Sequence, residues 1–261
     1  MSDLQMYRKL FDLGGKVALV AGGAGGIGQA ISEAFAAYGA QVVICARTAE
    51  KVDALADSIE KGGGKAYGTA LDITDVSQVK KTISDLADRF GAIDILMNCV
   101  GTHTEAPALE YEEEVWDRIF AVNLKAAFFL SQTVAAVQAK GGGGKHIHIS
   151  SVRSLLGLKR GYISYCSSKG GLNMMVKQLA TEWAKHKITV NGIAPTFVRT
   201  ELVAKYLNDP SFYEPLVERI PLGRVGEPVD VAGLALYLAS PAADFITGQI
   251  IFADGGVTAC Q

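Results

Sequence analysis

Short apolar runs alternate with helical patterns along almost the whole chain, and that alternation restricts the fold more than any other feature. Val17–Ala21, Gln41–Cys45, Lys65–Leu71, Ile93–Cys99, Lys145–Ser151, Ile188–Ile193 and Gln249–Phe252 read as strands. Helical patterns lie between them at Gln29–Tyr38, Thr48–Lys61, Asp75–Phe90, Glu113–Ala139, Ser164–Lys185 and Pro228–Ala239. Short strands separated by long helices make βα units and a mainly parallel sheet. The runs VALVA, QVVIC and IDILMN are nearly continuous in apolar residues, as strands covered by helices on both faces must be. The expected fold is α/β, a single Rossmann-type doubly wound parallel sheet with helices on both faces. No linker or internal repeat interrupts it, so residues 1–261 are expected to form one domain.

Composition removes several function classes. The chain is 49% hydrophobic and 20% charged, which suits one large core. Lys plus Arg is 25 and Asp plus Glu is 27, a net charge of −2. That balance offers no footprint for nucleic acid or an anionic membrane, so neither is an expected partner. The N-terminal stretch is too polar for a signal peptide, and no 18-residue apolar run reads as a membrane span. Cys45, Cys99, Cys166 and Cys260 lack CxxC spacing, so a cytoplasmic protein with reduced thiols is expected. Cys99 and Cys166 read as packing residues. Of His103, His146, His148 and His186, only His146 and His148 are close in sequence. That pair on a strand reads as packing near the helix Ser164–Lys185, and no metal is expected.

The 29 glycines matter by position. Gly22, Gly26 and Gly28 follow the spacing G-x-x-x-G-x-G between the first strand and the first helix. Missing side chains there permit a sharp turn and close approach of a pyrophosphate to backbone amides. The helix start supplies free N–H groups and partial positive charge. Gly22, Gly25, Gly26, Ile27 and Gly28 are therefore candidates for a dinucleotide site. After the second strand the chain reads Cys45-Ala46-Arg47-Thr48, with no acid until Glu50. A carboxylate there would hold the ribose 2′-hydroxyl of NAD, whereas an arginine accommodates a 2′-phosphate. Arg47 and Thr48 thus favour NADP over NAD. The run Gly141–Gly144 reads as a loose turn.

Further along stand Asn98-Cys99-Val100-Gly101, Asn123, Ser150-Ser151 and Tyr165-Cys166-Ser167-Ser168-Lys169. Tyr165 and Lys169 share a helix face, and a neighbouring ammonium lowers a phenol's pKa. Taken in order with Asp72-Ile73, Pro195, Thr200 and Asp254-Gly255-Gly256, these residues resemble the short-chain dehydrogenase/reductase family over essentially the whole chain. The resemblance implies Tyr165 as general acid/base and Lys169 as the group that tunes it and holds the nicotinamide ribose. It implies Ser151 as the holder of the substrate oxygen and Asn123 as the anchor of a relay water. Asp72, Ile73, Asn98, Gly101, Pro195, Val198 and Thr200 would line the dinucleotide, with Ile193 and Thr200 at the carboxamide. Hydride would pass between nicotinamide and a carbinol carbon while Tyr165 moves the hydroxyl proton. A homotetramer is also implied, with the helices around Ala121–Ala139 and Ser164–Lys185 at its interfaces.

Three positions depart from the family pattern. Ala21 stands where a threonine is usual, Asn98-Cys99-Val100-Gly101 replaces NNAG, and Pro195-Thr196 replaces Pro-Gly. From Tyr165 to Gly256 the chain is most similar to the gluconate 5-dehydrogenase branch. A sugar acid, polyol or keto acid is the first expected substrate class, with Arg153 as carboxylate partner and His103 in contact. Small cyclic or aromatic ketones and 3-oxoacyl thioesters are alternatives, and a non-catalytic nucleotide-binding regulator is a reading from another class. Enoyl reductases of related fold space their Tyr and Lys more widely than YxxxK. The segment 196–221 reads as a lid, and Lys159, Arg160, Lys205, Tyr206, Phe212 and Tyr213 could rim its opening.

Overall fold

The strands are β1 (Val17–Ala21), β2 (Gln41–Ala46), β3 (Lys65–Ala70), β4 (Ile95–Asn98), β5 (Gly144–Ile149), β6 (Ile188–Pro195) and β7 (Ile250–Ala253). In the computed structural model, which describes residues 3–201 and 203–260, they form one seven-stranded sheet. Every pairing is parallel, in the order β3-β2-β1-β4-β5-β6-β7. This is the Rossmann-type arrangement expected from the strand–helix alternation. The direction of winding reverses between β1 and β4, and the crevice beyond the strand ends at such a point is where ligands bind in open α/β sheets. Register places Ala21 opposite Cys45 on one side and Asn98 on the other, so the loops leaving β1, β2 and β4 emerge together.

The helices are α1 (Asp3–Arg8), α2 (Gly26–Ala37), α3 (Ala49–Lys61), α4 (Val76–Phe90), α5 (Glu113–Phe120), α6 (Ala126–Gly141), α7 (Ile163–Trp183), α8 (Ala204–Leu207), α9 (Pro210–Glu218) and α10 (Pro228–Ala239). Alternate side chains of a strand face opposite ways. Ala18 and Val20 accordingly pack with Ile31 and Phe35 of α2 and Val231 of α10. Val17 and Leu19 pack with Ile83 of α4 and Leu130 of α6 on the other face. Val176 and Leu179 of α7 cover Ile188 and Val190. A separate small cluster of Leu207, Leu216, Ile220 and Val225, with Phe197 and Phe212 against it, stands under α8 and α9. The 196–221 connection is therefore a helical cap with its own core.

Four local readings of the sequence change. The first helix begins at Gly26, earlier than its apolar pattern at Gln29, because Gly25 already serves as N-cap. The pattern Glu113–Ala139 is two helices joined by a π-helical turn, Ala121–Lys125. This stretch, continued to Gly141, is long and apolar enough to cross a membrane, with an 18-residue window of mean hydropathy 1.4, although no such run was expected. Here its residues Ala126, Leu130 and Val134 are packed into the core. Gly141–Gly144 is also no loose turn. A Cβ on Gly143, at φ 117°, would lie 2.4 Å from Lys187 O, and one on Gly144 would lie 2.2 Å from the Gln138 amide carbon.

Candidate active site

The turn after β1 has almost no room for side chains. A Cβ on Gly28 would lie 2.1 Å from Gly22 O, and one on Gly23 would lie 2.8 Å from Val20 O. Gly22 and Gly26 have φ of 74° and 44°, which suit glycine. Gly25 differs: a Cβ there would meet nothing within 4 Å. Its open side faces the start of α2, whose N-cap supplies no side-chain hydrogen bond and whose first turn holds no acid. Such a start leaves amide donors and positive dipole for a phosphate. The threonine replaced by Ala21 costs the turn little, because Gly22 N and Gly23 N donate to Cys45 O at 2.7 and 3.2 Å.

Around this turn the other cofactor candidates divide. Arg47 and Thr48 are exposed at the end of β2. Asp72 does not cap α4; Asp75 does, accepting from Ser77 N and Gln78 N. Asp72 Oδ1 instead takes Thr74 N at 2.9 Å and Thr74 Oγ1 at 2.7 Å. Those bonds hold its carboxyl below the usual range, and nearby Arg47 adds to the shift. Ile73 is buried beneath it. Asn98 is buried and turns its side chain inward, with Oδ1 accepting from Val100 N at 3.1 Å. Thr200 crosses to the glycine turn, where a Cβ on Gly26 would lie 2.8 Å from Thr200 Cγ2. Val198 is buried and bridges to Gly226. The Ile193 side chain is fully buried in the sheet core, which leaves its backbone as the part that could meet a carboxamide.

Tyr165 and Lys169 project from α7 toward the ends of β4 and β5. Lys169 is 2% exposed, and its Nζ donates to Ile149 O at 2.7 Å. The same Nζ lies 5.8 Å from the Tyr165 ring centre. Gly101 keeps this space open, since a Cβ there would come within 3.3 Å of Lys169 Nζ. Burial brings Lys169 down to about 8. Burial also pushes the Tyr165 phenol up, against the opposing hydrogen bond of Ser151 and the charge of Arg153. Desolvation is the larger influence on the phenol.

Ser151 caps the short turn Val152–Ser154, its Oγ accepting from Arg153 N at 3.1 Å. A polar chain fixes it from behind. Ser150 Oγ donates to Asn173 Oδ1 at 2.6 Å, Asn173 Nδ2 to Ser154 Oγ at 2.7 Å, and Ser154 Oγ to Ser151 O at 2.6 Å. Asn123, in the π-helical turn, is 1% exposed. Its Oδ1 accepts from Thr102 N at 2.8 Å, while Nδ2 donates to Thr102 O at 2.9 Å and Ser168 Oγ at 3.0 Å. Both amide donors are thus engaged, and the side chain clamps the loop that carries Gly101 and His103. The π turn fits a functional position, where such bulges concentrate.

A cavity opens in front of these groups, lined by Ile27, His103, Ser151, Arg153, Leu158, Tyr162, Tyr165, Thr200 and Tyr206 among others. The His103 ring centre lies 5.4 Å from that of Tyr162 and 6.0 Å from that of Tyr165. Arg153 is half-buried and donates from Nη1 to Gly157 O at 3.1 Å. Arg160 stands outside this cavity and clasps the cap. Its Nε donates to Glu105 Oε1 at 2.7 Å, and its guanidinium lies 5.8 Å from the Tyr206 ring centre and 5.2 Å from that of Phe212. Lys159 is exposed, Tyr213 packs in the cap, and the Lys205 side chain lies outside the described residues. Thr102, Ser154, Asn173 and the Glu105–Arg160 pair carried no sequence signal, because each acts through contacts set by the fold.

Elsewhere, His146 and His148 are fully buried packing residues. His146 Nε2 meets Gln138 Oε1 at 2.8 Å, with its ring 5.4 Å from that of Trp183 on α7. No cluster that could hold a metal ion occurs among the described residues. Cys99 is packed, and burial pushes its thiol to about 12.

With the fold and site in place, similarity to known proteins becomes informative. The model of a family described as Enoyl-(Acyl carrier protein) reductase matches residues 22–258. A tropinone reductase homologue of Arabidopsis thaliana is 41% identical over 96% of this chain and 95% of its own length. Gluconate 5-dehydrogenase of Gluconobacter oxydans is 36% identical over 95% of this chain and 97% of its own length. Among solved structures, a gluconate 5-dehydrogenase from Burkholderia cenocepacia in complex with NADP and tartrate superposes with a TM-score of 0.93 at 36% identity, covering 97% of this chain and 99% of that one. Matches of this extent, on a chain that carries the ordered motifs described above, establish that it belongs to the short-chain dehydrogenase/reductase family and is an alcohol dehydrogenase/carbonyl reductase.

Proposed function

We propose that the protein is an NADP-dependent oxidoreductase that interconverts the secondary alcohol and ketone of a small hydroxy acid of the sugar-acid type. The observation that carries the substrate class is Arg153. Its guanidinium lies in the cavity wall beside Ser151 and Tyr165, bonded to a backbone carbonyl and to no carboxylate among the described residues. A half-buried cation of this kind needs an acceptor, and a substrate carboxylate can form two parallel charge-assisted bonds with it. The tropinone reductase homologue supports a second reading, a small cyclic ketone, because the His103, Tyr162 and Tyr165 rings form one aromatic wall.

Cofactor choice rests on the glycine turn, the open start of α2 and the exposed Arg47, and NADP is present in the solved relative. Bound there, NADP(H) supplies or accepts the hydride. Ser151 would hold the substrate oxygen and Tyr165 would give or take its proton. Lys169, fixed by Ile149 O, would keep a positive charge beside the phenol. Asn123 would hold the Gly101–His103 loop against the site through Thr102. The YxxxK spacing supports carbonyl rather than enoyl reduction. Intact Tyr165, Lys169, Ser151 and Asn123 count against a non-catalytic regulator. A spectrophotometric screen of sugar acids, polyols and cyclic ketones with NADPH and NADH tests the reading. Turnover of acids with NADPH is expected; turnover restricted to cyclic ketones would replace it by the second reading.

A further inference from the structure

Five arginines around the cap divide into two groups. Arg160, Arg199 and Arg224 pair with Glu105, Glu227 and Asp230. Arg153 and Arg219 do not: each donates to a carbonyl four residues away, Arg153 Nη1 to Gly157 O and Arg219 Nε to Pro215 O. These two come from different walls. Arg153 follows β5, and Arg219 is the C-cap of α9 on the cap. Both line a second cavity beneath α9, together with Lys159, Arg160, Phe197 and Ile220. Arg153, Leu158, Thr196 and Phe197 line this cavity and the one in front of Tyr165 alike, so the two spaces share a wall. The guanidiniums of Arg153 and Arg219 feel each other's charge. Glu218 is the one acid on the cavity wall, and it forms no ion pair among the described residues.

Three guanidiniums and an ammonium border this space, and of them only Arg160 has a carboxylate partner, Glu105, so the positive charge of Arg153, Lys159 and Arg219 favours an anion there. Arg160 is paired with Glu105 and the cap's Arg199 with Glu227, whereas Arg153 and Arg219 have no carboxylate partner among the described residues. We infer that Arg219 is a second anion-recognition residue, which closes with Arg153 on the carboxylate or phosphate at the far end of an extended substrate whose alcohol or ketone reacts at Tyr165. This inference rests on the hydroxy-acid reading above and adds to it a residue and a direction for the substrate chain. It also gives the cap a binding task, since the anion joins the α9 end to the loop after β5.

The test compares three substrates of similar length: an aldonic acid, the phosphate monoester of a sugar alcohol and the neutral polyol. Arg219→Ala is expected to raise KM for the anionic substrates about tenfold more than KM for the neutral one, as loss of one charge-assisted contact would. Arg219→Lys is expected to recover most of that difference. In an Arg153→Ala background the effect of Arg219→Ala is expected to shrink, because the two share one ligand. The acid and the phosphate ester report separately which anion the pair accepts. If Arg153→Ala raises KM for acids and Arg219→Ala leaves the acid-to-neutral ratio unmoved, the role of Arg219 is overturned while the hydroxy-acid reading stands. If neither substitution moves the ratio, the hydroxy-acid reading itself falls.

Discussion

The two ends of the sheet crevice are built from different materials. On the β1–β3 side, the candidate dinucleotide site is a backbone construction, where glycines at 22, 23, 26 and 28 leave space that a single Cβ would fill. On the β4–β6 side the site is made of side chains from distant segments: His103, Ser151, Arg153, Tyr165 and the cap residue Tyr206. The first arrangement is local in sequence and intolerant of added atoms. The second is spread over a hundred residues and depends on supports such as Ser150–Asn173–Ser154 and Glu105–Arg160. The division lets a shared cofactor end serve different substrates, since pocket walls can change without touching the turn.

The largest expected effect separates the two ends. Tyr165→Phe removes the proton-transfer group and is expected to lower kcat about 10³-fold or more, with NADPH affinity changed by less than about threefold. Single-turnover kinetics and a fluorescence titration of NADPH check both halves. Substantial activity in the variant would remove Tyr165 from its role, and a collapse of NADPH affinity would show that the two ends are not separable. Next comes a pair within the glycine turn. Gly28→Ala is expected to destabilise the fold by about 3 kcal/mol or more, because the new Cβ meets Gly22 O at 2.1 Å. Gly25→Ala points into open space and is expected to stay within about 0.5 kcal/mol in urea denaturation while weakening NADPH. Equal destabilisation by the two would erase the distinction between packing glycines and ligand-facing ones.

The contrast also explains what was legible in the sequence. β1, β2 and β4 announce themselves as apolar runs, and the glycine turn needs no partner from elsewhere to be recognised. Tyr165 and Lys169 are readable for the same reason, since four residues on a helix define their own geometry. Asn123 is different. Its type and position could be read, but its hold on Thr102, 21 residues away, comes from packing. No residue pattern marks the π turn that carries it. Ile193 was read by analogy as a carboxamide contact, and strand alternation, which buries its side chain in the core, leaves only its backbone for that role. Gly141–Gly144 looked like slack because its partners, Gln138 and Lys187, contact it only through the turn of α6 and the start of β6. Arg153 was visible as a charge beside Ser151, and its counterpart Arg219 was not, because only the folded cap brings them to one cavity.

The side-chain-built half carries an acid-sensitive element absent from the glycine turn. His146 and His148 are fully buried on β5. Gln138 Nε2 donates to Ile93 O at 3.0 Å and Asp94 O at 3.2 Å, which leaves Gln138 Oε1 to accept from His146 Nε2 in its neutral form. Burial drives His146 well below its usual value and His148 to about 3; His148 beside it adds to the first shift and the Lys169 ammonium to the second. The unfolded chain therefore binds more protons than the folded one below the ordinary histidine range. The stability these neutral rings contribute is complete above about pH 6.5 and is lost as pH falls from there toward about 3. Near pH 5 the slope for two such sites is expected to approach about 2.7 kcal/mol per pH unit. Urea denaturation at stepped pH checks it, and His148→Asn should lower that slope by about half. A flat profile from pH 6.5 to 4.5 would mean that both rings are already charged in the native state.

The smallest effect tests a cofactor contact that depends on an exposed side chain rather than on backbone. Arg47 is exposed where β2 ends, its nearest acid in sequence is Glu50, and its charge reaches Asp72 across the loop after β3. An exposed guanidinium gains only a modest amount from a phosphate, so Arg47→Ala is expected to weaken NADPH about tenfold and NADH hardly at all. Because the interaction is between charges near the surface, the loss should shrink as salt rises from about 0.05 to 0.5 M. Titration of both cofactors at two salt concentrations decides the matter. Equal weakening of NADPH and NADH would assign Arg47 to the shape of the β2 loop. Selective, salt-sensitive weakening would make it the point where side-chain chemistry enters an otherwise backbone-built site.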